Sequence, residues 1–293
     1  MGALNSESSL RYLRSGKAKD IFELDEETLL MVFTDRISAY DVMLADKIPL
    51  KGIVMCELSA YCFERCEDMG IPTHFLSLQG RRRMVVKRLE IVPVEVIVRN
   101  YVYGSYWSRL LRGEVKLPNG ARPLLAERLP EPIVEFTTKF EAHDRPITVD
   151  EVLDRGWASG SELDRIVEWS LKMNEIMGRD AERGGLILAD FKLEFGRLRG
   201  DLLLADEAET PDVCRLWDAK GYAPGRPQQD FDKQIVRDYL AERLGWPEKG
   251  PPPGSRLEQP LLPEEVVNAT KLRYIEAYER LTGRRFEPLD EAT

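Results

Sequence analysis

The chain has 293 residues, enough to build one large domain or two ordinary domains with sizeable hydrophobic cores. Its 42 basic and 51 acidic residues give a net charge of −9, which argues against a protein that binds nucleic acid or a membrane surface. No apolar run approaches about 18 residues and no signal peptide opens the chain, so we expect a cytoplasmic protein.

The first predicted element is a β-meander over residues 11–34, which contains two lysines beside a flexible glycine. In residues 16–20 (GKAKD), Lys17 and Lys19 are two positions apart and share one face of a strand. Lysines on an exposed strand usually serve solubility, and the functional alternative is a loop that clamps phosphate groups. The motif G-x-x-x-x-G-K-[ST] is absent from the sequence, which excludes a Walker-type phosphate loop.

A domain boundary is predicted near residue 90. Before it, residues 34–41 have the polar, irregular composition of a ligand-binding loop, and residues 51–69 predict a helix. Residues 84–89 and 92–99 then predict two strands. The boundary would therefore lie in the short connection between these strands.

An anion site is predicted where the second of these strands ends at Arg99. Gly104 and Ser105 open a short helix over residues 106–112, so a hydroxyl and a guanidinium lie near a helix N-terminus. An ordinary serine N-cap would explain the same pattern. Residues 113–135 predict a proline-rich loop.

Three further long helices are predicted in the second half of the chain. The longest begins at a Ser161 cap and ends near Arg183, before two glycines. The other two span residues 230–244 and 263–281, with a proline-rich linker between them.

Residues 184–217 contain two apolar runs around a turn, which predict a β-hairpin. Alternation along a strand puts Asp190, Lys192 and Glu194 on one face, and a three-residue loop would place Asp206 opposite Lys192. A solvated edge strand can carry such charges. The apolar runs favour central strands instead, where unpaired buried charges are costly, so the charged face should line a cleft and hold a metal or a polar ligand.

These clusters together supply carboxylates for Mg²⁺, lysines for a polyphosphate and an Arg/Ser pair for a second anion, which suits ATP-dependent phosphoryl transfer. Residues 91–105 (IVPVEVIVRNYVYGS) resemble the first signature of the phosphoribosylaminoimidazole-succinocarboxamide synthase (SAICAR synthetase) family, and residues 188–196 (LADFKLEFG) resemble its second. Other matching segments follow in the family's order: residues 16–20, 35–41, 206–207, 210–212 and 231–234. The resemblance spans about residues 12–240.

The resemblance implies a ligase of de novo purine biosynthesis that joins L-aspartate to the carboxylate of carboxyaminoimidazole ribonucleotide. The implied reaction uses ATP and Mg²⁺, proceeds through an acyl phosphate and gives SAICAR, ADP and phosphate. The implied fold is α+β, with an ATP cleft enclosed by a β-rich nucleotide-binding domain (residues 1–90) and a larger α+β domain (residues 91–293). The larger domain would bind substrate and metal and carry an extra C-terminal helix. No nucleic-acid or membrane partner is implied, and a homodimer stays open.

The resemblance also assigns roles to individual residues. The ATP contacts would be Gly16, Lys17, Lys19, Leu89, Glu194 and Asp206, of which Glu194 and Asp206 would also hold Mg²⁺. The substrate contacts would be Asp35, Ser38 and Asp41 on the aspartate side and Arg99, Ser105, Lys192 and Arg215 on the ribonucleotide side. The catalytic residues would be Lys139, Asp144 and Lys192.

Two other functions stay open at this point. A kinase-like enzyme that phosphorylates a small alcohol would release ADP without needing aspartate. A catalytically inactive nucleotide-sensing protein could share the fold, but the presence of both carboxylates, Glu194 and Asp206, argues against it. The sequence contains only two histidines, His74 and His143, which disfavours a histidine-centred mechanism.

Overall fold

The computed structural model describes residues 10–40, 42–117, 120, 122–141, 144–246 and 261–288, without the side chain of Leu244. Asp41, which is predicted to lie on the aspartate side, is outside the described residues, and so is His143.

The N-terminal part of the chain forms an antiparallel sheet, a two-stranded ribbon and a long helix. Its elements are β1 (Arg11–Ser15), β2 (Lys19–Glu23), β3 (Thr28–Phe33), β4 (Arg36–Ala39), β5 (Val42–Lys47), α1 (Lys51–Asp68), β6 (Phe75–Leu78) and β7 (Arg83–Lys87). The sheet has the order β1-β2-β3-β7-β6, and β4 pairs with β5. The predicted meander and helix are confirmed. Residues 36–39, predicted as part of an irregular loop, instead form the first strand of the ribbon.

The remainder of the chain builds a second antiparallel sheet with helices around it. Its elements are β8 (Glu90–Tyr101), α2 (Gly104–Leu111), β9 (Arg128–Thr138), β10 (Pro146–Ile147), α3 (Val149–Asp154), α4 (Gly160–Arg183), β11 (Leu186–Leu198), β12 (Asp201–Ala205), β13 (Cys214–Asp218), α5 (Gln234–Leu244) and α6 (Glu264–Thr282). The sheet has the order β10-β9-β8-β11-β12, and β13 also pairs with β11. This mixture of helices and antiparallel sheets confirms the predicted α+β class.

Strand β9 is the largest departure from the predicted elements, because its first part was predicted to be a proline-rich loop. It pairs with β8 over most of its length, for example Val134 with Val98. Its other neighbour, β10, covers only Phe136 and Thr137. Pro130 and Pro132 lie in an irregular stretch of this pairing, between Arg128 opposite Tyr101 and Ile133 opposite Arg99, and a bulge is a place where a strand tolerates proline.

The central hairpin has a shorter loop than predicted. Leu198 pairs with Asp201, so only Arg199 and Gly200 lie between the strands, both with positive φ. Such two-residue loops match the right-handed twist of the strands. The loss of one loop residue shifts the register by one position, so the prediction that Asp206 opposes Lys192 is wrong.

The two faces of β11 have opposite environments, as predicted. Phe191, Leu193 and Phe195 are fully buried in a core that also takes in α1, α4 and α6. That core contains residues from both sides of residue 90, and the division into two domains stays a prediction.

Helix α4 begins at a capping box of Ser159 with Glu162, two residues before the predicted Ser161 cap. Within the described residues, no helix combines the length and apolar composition needed to cross a membrane.

Candidate active site

A polar cleft of about 1080 Å³ lies over the charged face of β11. The turn between β1 and β2, the loop after β12 and the first turn of α5 also contribute to its walls. The predicted site residues that line it are Gly16, Lys17, Lys19, Ser38, Lys139, Asp144, Lys192, Glu194, Asp206 and Arg215. Segments far apart in sequence thus bring most of the predicted site into one space.

The charged face of β11 makes an ion pair at each of its polar positions. Asp190 accepts a hydrogen bond from the Arg215 guanidinium (Nη1 to Oδ2, 2.6 Å), and the Lys192 ammonium donates to Glu95 of β8 (2.9 Å). Glu194 accepts from Lys139, which lies just beyond the end of β9. Alternating acids and bases therefore run along the floor of the cleft.

Glu194 lies close to a second carboxylate, Asp206, and both are partly buried. The Lys19 ammonium is 2.9 Å from Asp206 and 3.5 Å from Glu207. Burial and then the negative charge of Asp206 raise the pKa of Glu194 to about 7, against the opposing effect of the Lys139 ammonium. Burial opposes the charge of Lys19, but Asp206 and Glu207 outweigh it and raise the pKa of that lysine above its usual range. Asp206 thus stabilises the charged form of Lys19 and destabilises that of Glu194.

Asp206 enters the cleft because the backbone turns immediately after β12. The strand ends at Ala205, and Asp206 has a φ of 65°, in the left-handed region that Asp tolerates better than most residues. On the other side of the cleft, the Gly16 N–H donates to the Lys19 carbonyl (2.8 Å). This tight turn keeps the lysine-bearing end of β2 against the carboxylates.

A second basic group lies where β8 meets α2. The Arg99 guanidinium donates to Ser105 (2.9 Å) and to Glu135 (2.6 Å), and it lies 3.4 Å from Asp190. Asp190 therefore bridges Arg99 and Arg215. Helix α2 has no side-chain N-cap, so the Ser105 hydroxyl serves the arginine and the alternative of an ordinary serine cap is wrong.

Gly104 makes room for this arrangement. Its φ is 56°, and a Cβ atom built there would lie 2.8 Å from Nη1 of Arg215. Glycine is thus required both by the backbone conformation and by the close approach of the guanidinium.

The far wall of the cleft contains charged residues to which the sequence assigned no role. Lys233, Gln234 and Arg237 belong to the start of α5, and Asp212 lies in the loop between β12 and β13. Ser38 faces the same space. The sequence offered a signal for two of them, because Asp212 and Lys233 fall within the segments 210–212 and 231–234 that resemble the family.

Four predicted contacts do not line the cleft in this structure. Arg99 and Ser105 lie just behind Asp190, as described above. Leu89 lies in the connection between β7 and β8 and packs against Gly196 of β11. Asp35 accepts a hydrogen bond from the Gly52 N–H at the start of α1 (2.9 Å). It also forms a bidentate salt bridge with Arg82 (2.7 and 3.0 Å). Its oxygens thus stabilise the end of a helix that has no cap of its own.

Comparison with known proteins agrees with this geometry. The family model described as SAICAR synthetase matches residues 12–253. The chain belongs to the SAICAR synthetase family. A phosphoribosylaminoimidazole-succinocarboxamide synthase from Nitrosopumilus maritimus is 36% identical over 278 residues, covering 94% of this chain and 99% of that protein. The predicted family is therefore confirmed.

Solved structures of SAICAR synthetases have the same fold. A SAICAR synthase from Saccharomyces cerevisiae complexed with SAICAR superposes with a TM-score of 0.84 at 30% identity, over 98% of this chain and 99% of that one. A SAICAR synthetase in complex with ADP gives a TM-score of 0.71 at 34% identity, over 94% and 99% of the two chains. The predicted SAICAR synthetase-like fold is confirmed by these similarities.

The carboxylates in the cleft of this SAICAR synthetase family member are of the chemical type that Mg²⁺ prefers as ligands. Among the described residues, no three His, Cys, Asp or Glu side chains are arranged to hold a metal by themselves. Mg²⁺ in nucleotide-dependent enzymes is usually held by one or two carboxylates, with water and phosphate oxygens completing the shell. Glu194 and Asp206 would supply such a pair, and burial followed by the negative charge of Asp206 raises the pKa of Glu194, an unfavourable environment for its carboxylate that a cation would offset.

Proposed function

We propose that the chain is an ATP-dependent carbon–nitrogen ligase of purine biosynthesis. It would join L-aspartate to the carboxylate of carboxyaminoimidazole ribonucleotide and release SAICAR, ADP and phosphate. The observation that carries the proposal is one cleft lined by the carboxylates of Glu194 and Asp206 and by three basic groups, which are Lys17 with Lys19, Arg215, and Lys233 with Arg237. Each of the three anionic substrates can thereby meet a positive partner within reach of the others. Membership of the SAICAR synthetase family supports the same reaction.

The ATP phosphates are proposed to bind at the turn that carries Lys17 and Lys19. Both lysines line the cleft beside Glu194 and Asp206, which would hold Mg²⁺. A bound Mg²⁺ would neutralise charge on the outer phosphate oxygens. The SAICAR synthetase solved in complex with ADP, which has this fold, supports the use of an adenine nucleotide.

The other two substrates are assigned to the remaining basic groups. Arg215, supported by Arg99 and Ser105, would bind the phosphate of the ribonucleotide, because guanidinium groups and a hydroxyl suit phosphate oxygens. Lys233 and Arg237 then remain for the two carboxylates of L-aspartate, with Ser38 facing the same space. This places the amino acid on the α5 side of the cleft.

The chemistry follows from the poor reactivity of a carboxylate toward amines. The γ-phosphoryl group of ATP would move to the ribonucleotide carboxylate, forming an acyl phosphate and leaving ADP. The aspartate amine would then attack the acyl carbon, forming the C–N bond while the C–O bond to phosphate breaks. Lys139 and Lys192 would neutralise the reacting carboxylate, so positioning and charge neutralisation carry most of the catalysis.

Asp144 is proposed to accept the proton that the amine loses. It lines the cleft, and burial together with the negative charge of Glu95 raises its pKa above the ordinary value. A carboxylate with a raised pKa is a stronger base than one with the ordinary pKa.

The reaction is tested with purified protein, ATP, L-aspartate and a ribonucleotide whose carboxylate is fully labelled with ¹⁸O. We expect ADP and inorganic phosphate, with one labelled oxygen in that phosphate and an amide product that requires aspartate. AMP as the nucleotide product, or unlabelled phosphate, would contradict the acyl phosphate route. ADP release without aspartate, on addition of a small alcohol, would favour the kinase alternative.

Two variants separate the proposed ATP and ribonucleotide sites. Lys19→Ala should raise the KM for ATP more than the KM for the ribonucleotide, and Arg215→Ala should do the reverse. A charge-assisted hydrogen bond contributes about 1.5–3 kcal/mol, so each shift should be about ten- to a hundredfold. Steady-state kinetics with each substrate varied in turn measures both. Equal effects of both variants on both substrates would contradict the assignment.

Gly104→Ala tests whether the approach of Arg215 to the backbone matters for ribonucleotide binding. The new methyl group would displace the Arg215 guanidinium, so we expect a KM for the ribonucleotide about tenfold higher and an unchanged KM for ATP. Gly156→Ala is the matched control, because Gly156 has a similar φ of 65° but no atom within 4 Å of the new methyl group. An equal rise in the KM for the ribonucleotide in both variants would mean that backbone strain causes the rise, and that displacement of Arg215 does not.

A further inference from the structure

Helix α6 lies beyond residues 12–253, the part of the chain that the family model matches, yet one of its side chains reaches the wall of the cleft. Tyr274 is completely buried, and its hydroxyl donates to Oδ1 of Asp212 at 2.7 Å. Asp212 lines the cleft. The C-terminal helix therefore has a direct polar connection to the proposed active site.

Asp212 is held from two sides by buried groups. Its Oδ2 accepts from the ammonium of Lys51, which is only 1% exposed, at 2.7 Å. Burial, followed by the charge of Asp212, raises the pKa of Tyr274 well above its usual value, so the hydroxyl stays a donor. Each carboxylate oxygen thus has a close donor that comes from the protein interior.

Lys233 is the third basic or polar group near this carboxylate. Its ammonium is 3.9 Å from Oδ1, the same oxygen that accepts from Tyr274, and this separation is beyond hydrogen-bond distance. Lys233 also lines the cleft, on the side proposed for L-aspartate. Because Tyr274 donates to Oδ1 and Lys51 to Oδ2, the Asp212 carboxylate attracts the Lys233 ammonium less strongly than an unpartnered carboxylate would, and the lysine lies 3.9 Å away.

We infer that Tyr274 is a positioning residue for the amino-acid substrate: its hydrogen bond to Asp212 weakens the attraction of that carboxylate for Lys233, and Lys233 thereby remains available to a substrate carboxylate. This inference rests on the proposed function. It gives α6 a role in substrate affinity in addition to its packing against α1, α4 and α5. Without the hydroxyl, Oδ1 would take Lys233 as its donor and the substrate would have to compete for that ammonium.

The test compares Tyr274→Phe with Tyr278→Phe. Tyr278 is one turn later on α6, is also buried, and interacts with Glu57 and Phe286 away from the cleft. We expect Tyr274→Phe to raise the KM for L-aspartate by about three- to tenfold, with kcat and the KM values for ATP and the ribonucleotide within about twofold of wild type. Tyr278→Phe should leave all three KM values unchanged. Equal changes in all KM values for Tyr274→Phe, or no change in the KM for L-aspartate, would overturn the inference.

A double-mutant cycle with Lys233→Ala shows whether the effect passes through the lysine. Lys233→Ala alone should raise the KM for L-aspartate, and adding Tyr274→Phe should then have no further effect. If the two changes instead multiplied, Tyr274 would act independently of Lys233 and the inference would be wrong.

A crystal structure of Tyr274→Phe provides a readout that does not depend on turnover. The Lys233 ammonium should move from 3.9 Å to a hydrogen-bond distance of about 2.7–3.2 Å from Oδ1 of Asp212. An unchanged separation would overturn the inference even if the protein is an active ligase. If the wild-type protein makes no amide, the proposed function fails, and this distance still decides how Tyr274 acts on Lys233.

Discussion

Asp206→Asn should lower kcat/KM by about a hundred- to a thousandfold while the protein stays folded, and Glu194→Gln should have a similar effect. Each substitution removes a negative charge from the pair proposed to hold Mg²⁺ and leaves the shape of the side chain unchanged. The fold should survive Asp206→Asn because the Lys19 ammonium keeps Glu207 as a partner at 3.5 Å. Steady-state kinetics over a range of Mg²⁺ concentrations measures the effect, and a calorimetric titration with ADP and Mg²⁺ follows binding without turnover.

The control for this prediction is Asp201→Asn. Asp201 begins β12 on the same hairpin, but it is exposed and lies at the opposite end of the strand from Asp206. Its substitution should leave both turnover and nucleotide affinity unchanged. If Asp206→Asn or Glu194→Gln kept the wild-type rate at limiting Mg²⁺, the two carboxylates would have a structural role only.

The charged face of β11 could be predicted from sequence because its signal is local. Alternation fixes which residues share a face, and the apolar positions Phe191, Leu193 and Phe195 leave the opposite side for the cleft. The prediction that Asp206 lies near Glu194 rests on the wrong register of the β11–β12 hairpin. Its approach depends on the left-handed backbone conformation at Asp206, which the alternation of side chains does not encode.

The features that sequence reasoning missed depend on contacts between distant segments. Strand β9 forms because β8 offers it a partner, and this partner outweighs the prolines in the segment. Asp35 resembles a ligand-binding residue in sequence, yet Arg82, 47 positions away, takes both of its oxygens. Lys51 and Asp212 are 161 positions apart, and no local pattern indicates that they form a buried pair.

That buried pair leads to the second large effect. Asp212→Asn should lower the free energy of unfolding by about 3–5 kcal/mol, because it leaves the Lys51 ammonium buried without a countercharge. The double variant Lys51→Met/Asp212→Asn should recover most of this loss, since an apolar side chain of similar volume can replace a buried ion pair at little cost. Urea denaturation of the single and double variants measures these differences.

The pH dependence of the Asp212→Asn effect gives an independent check of its cause. Burial disfavours ionisation of Asp212, but the ammonium groups of Lys51 and Lys233 outweigh burial and hold the pKa of Asp212 far below its ordinary value. A carboxylate whose pKa is lowered by folding stabilises the protein above its unfolded pKa of about 4, and this contribution is lost as the pH falls further. The difference in unfolding free energy between wild type and Asp212→Asn should therefore be constant from about pH 5 to 8 and shrink below about pH 4. A difference that stayed the same at low pH would mean that the introduced amide disrupts packing, and that the charge of Lys51 is not what destabilises the variant.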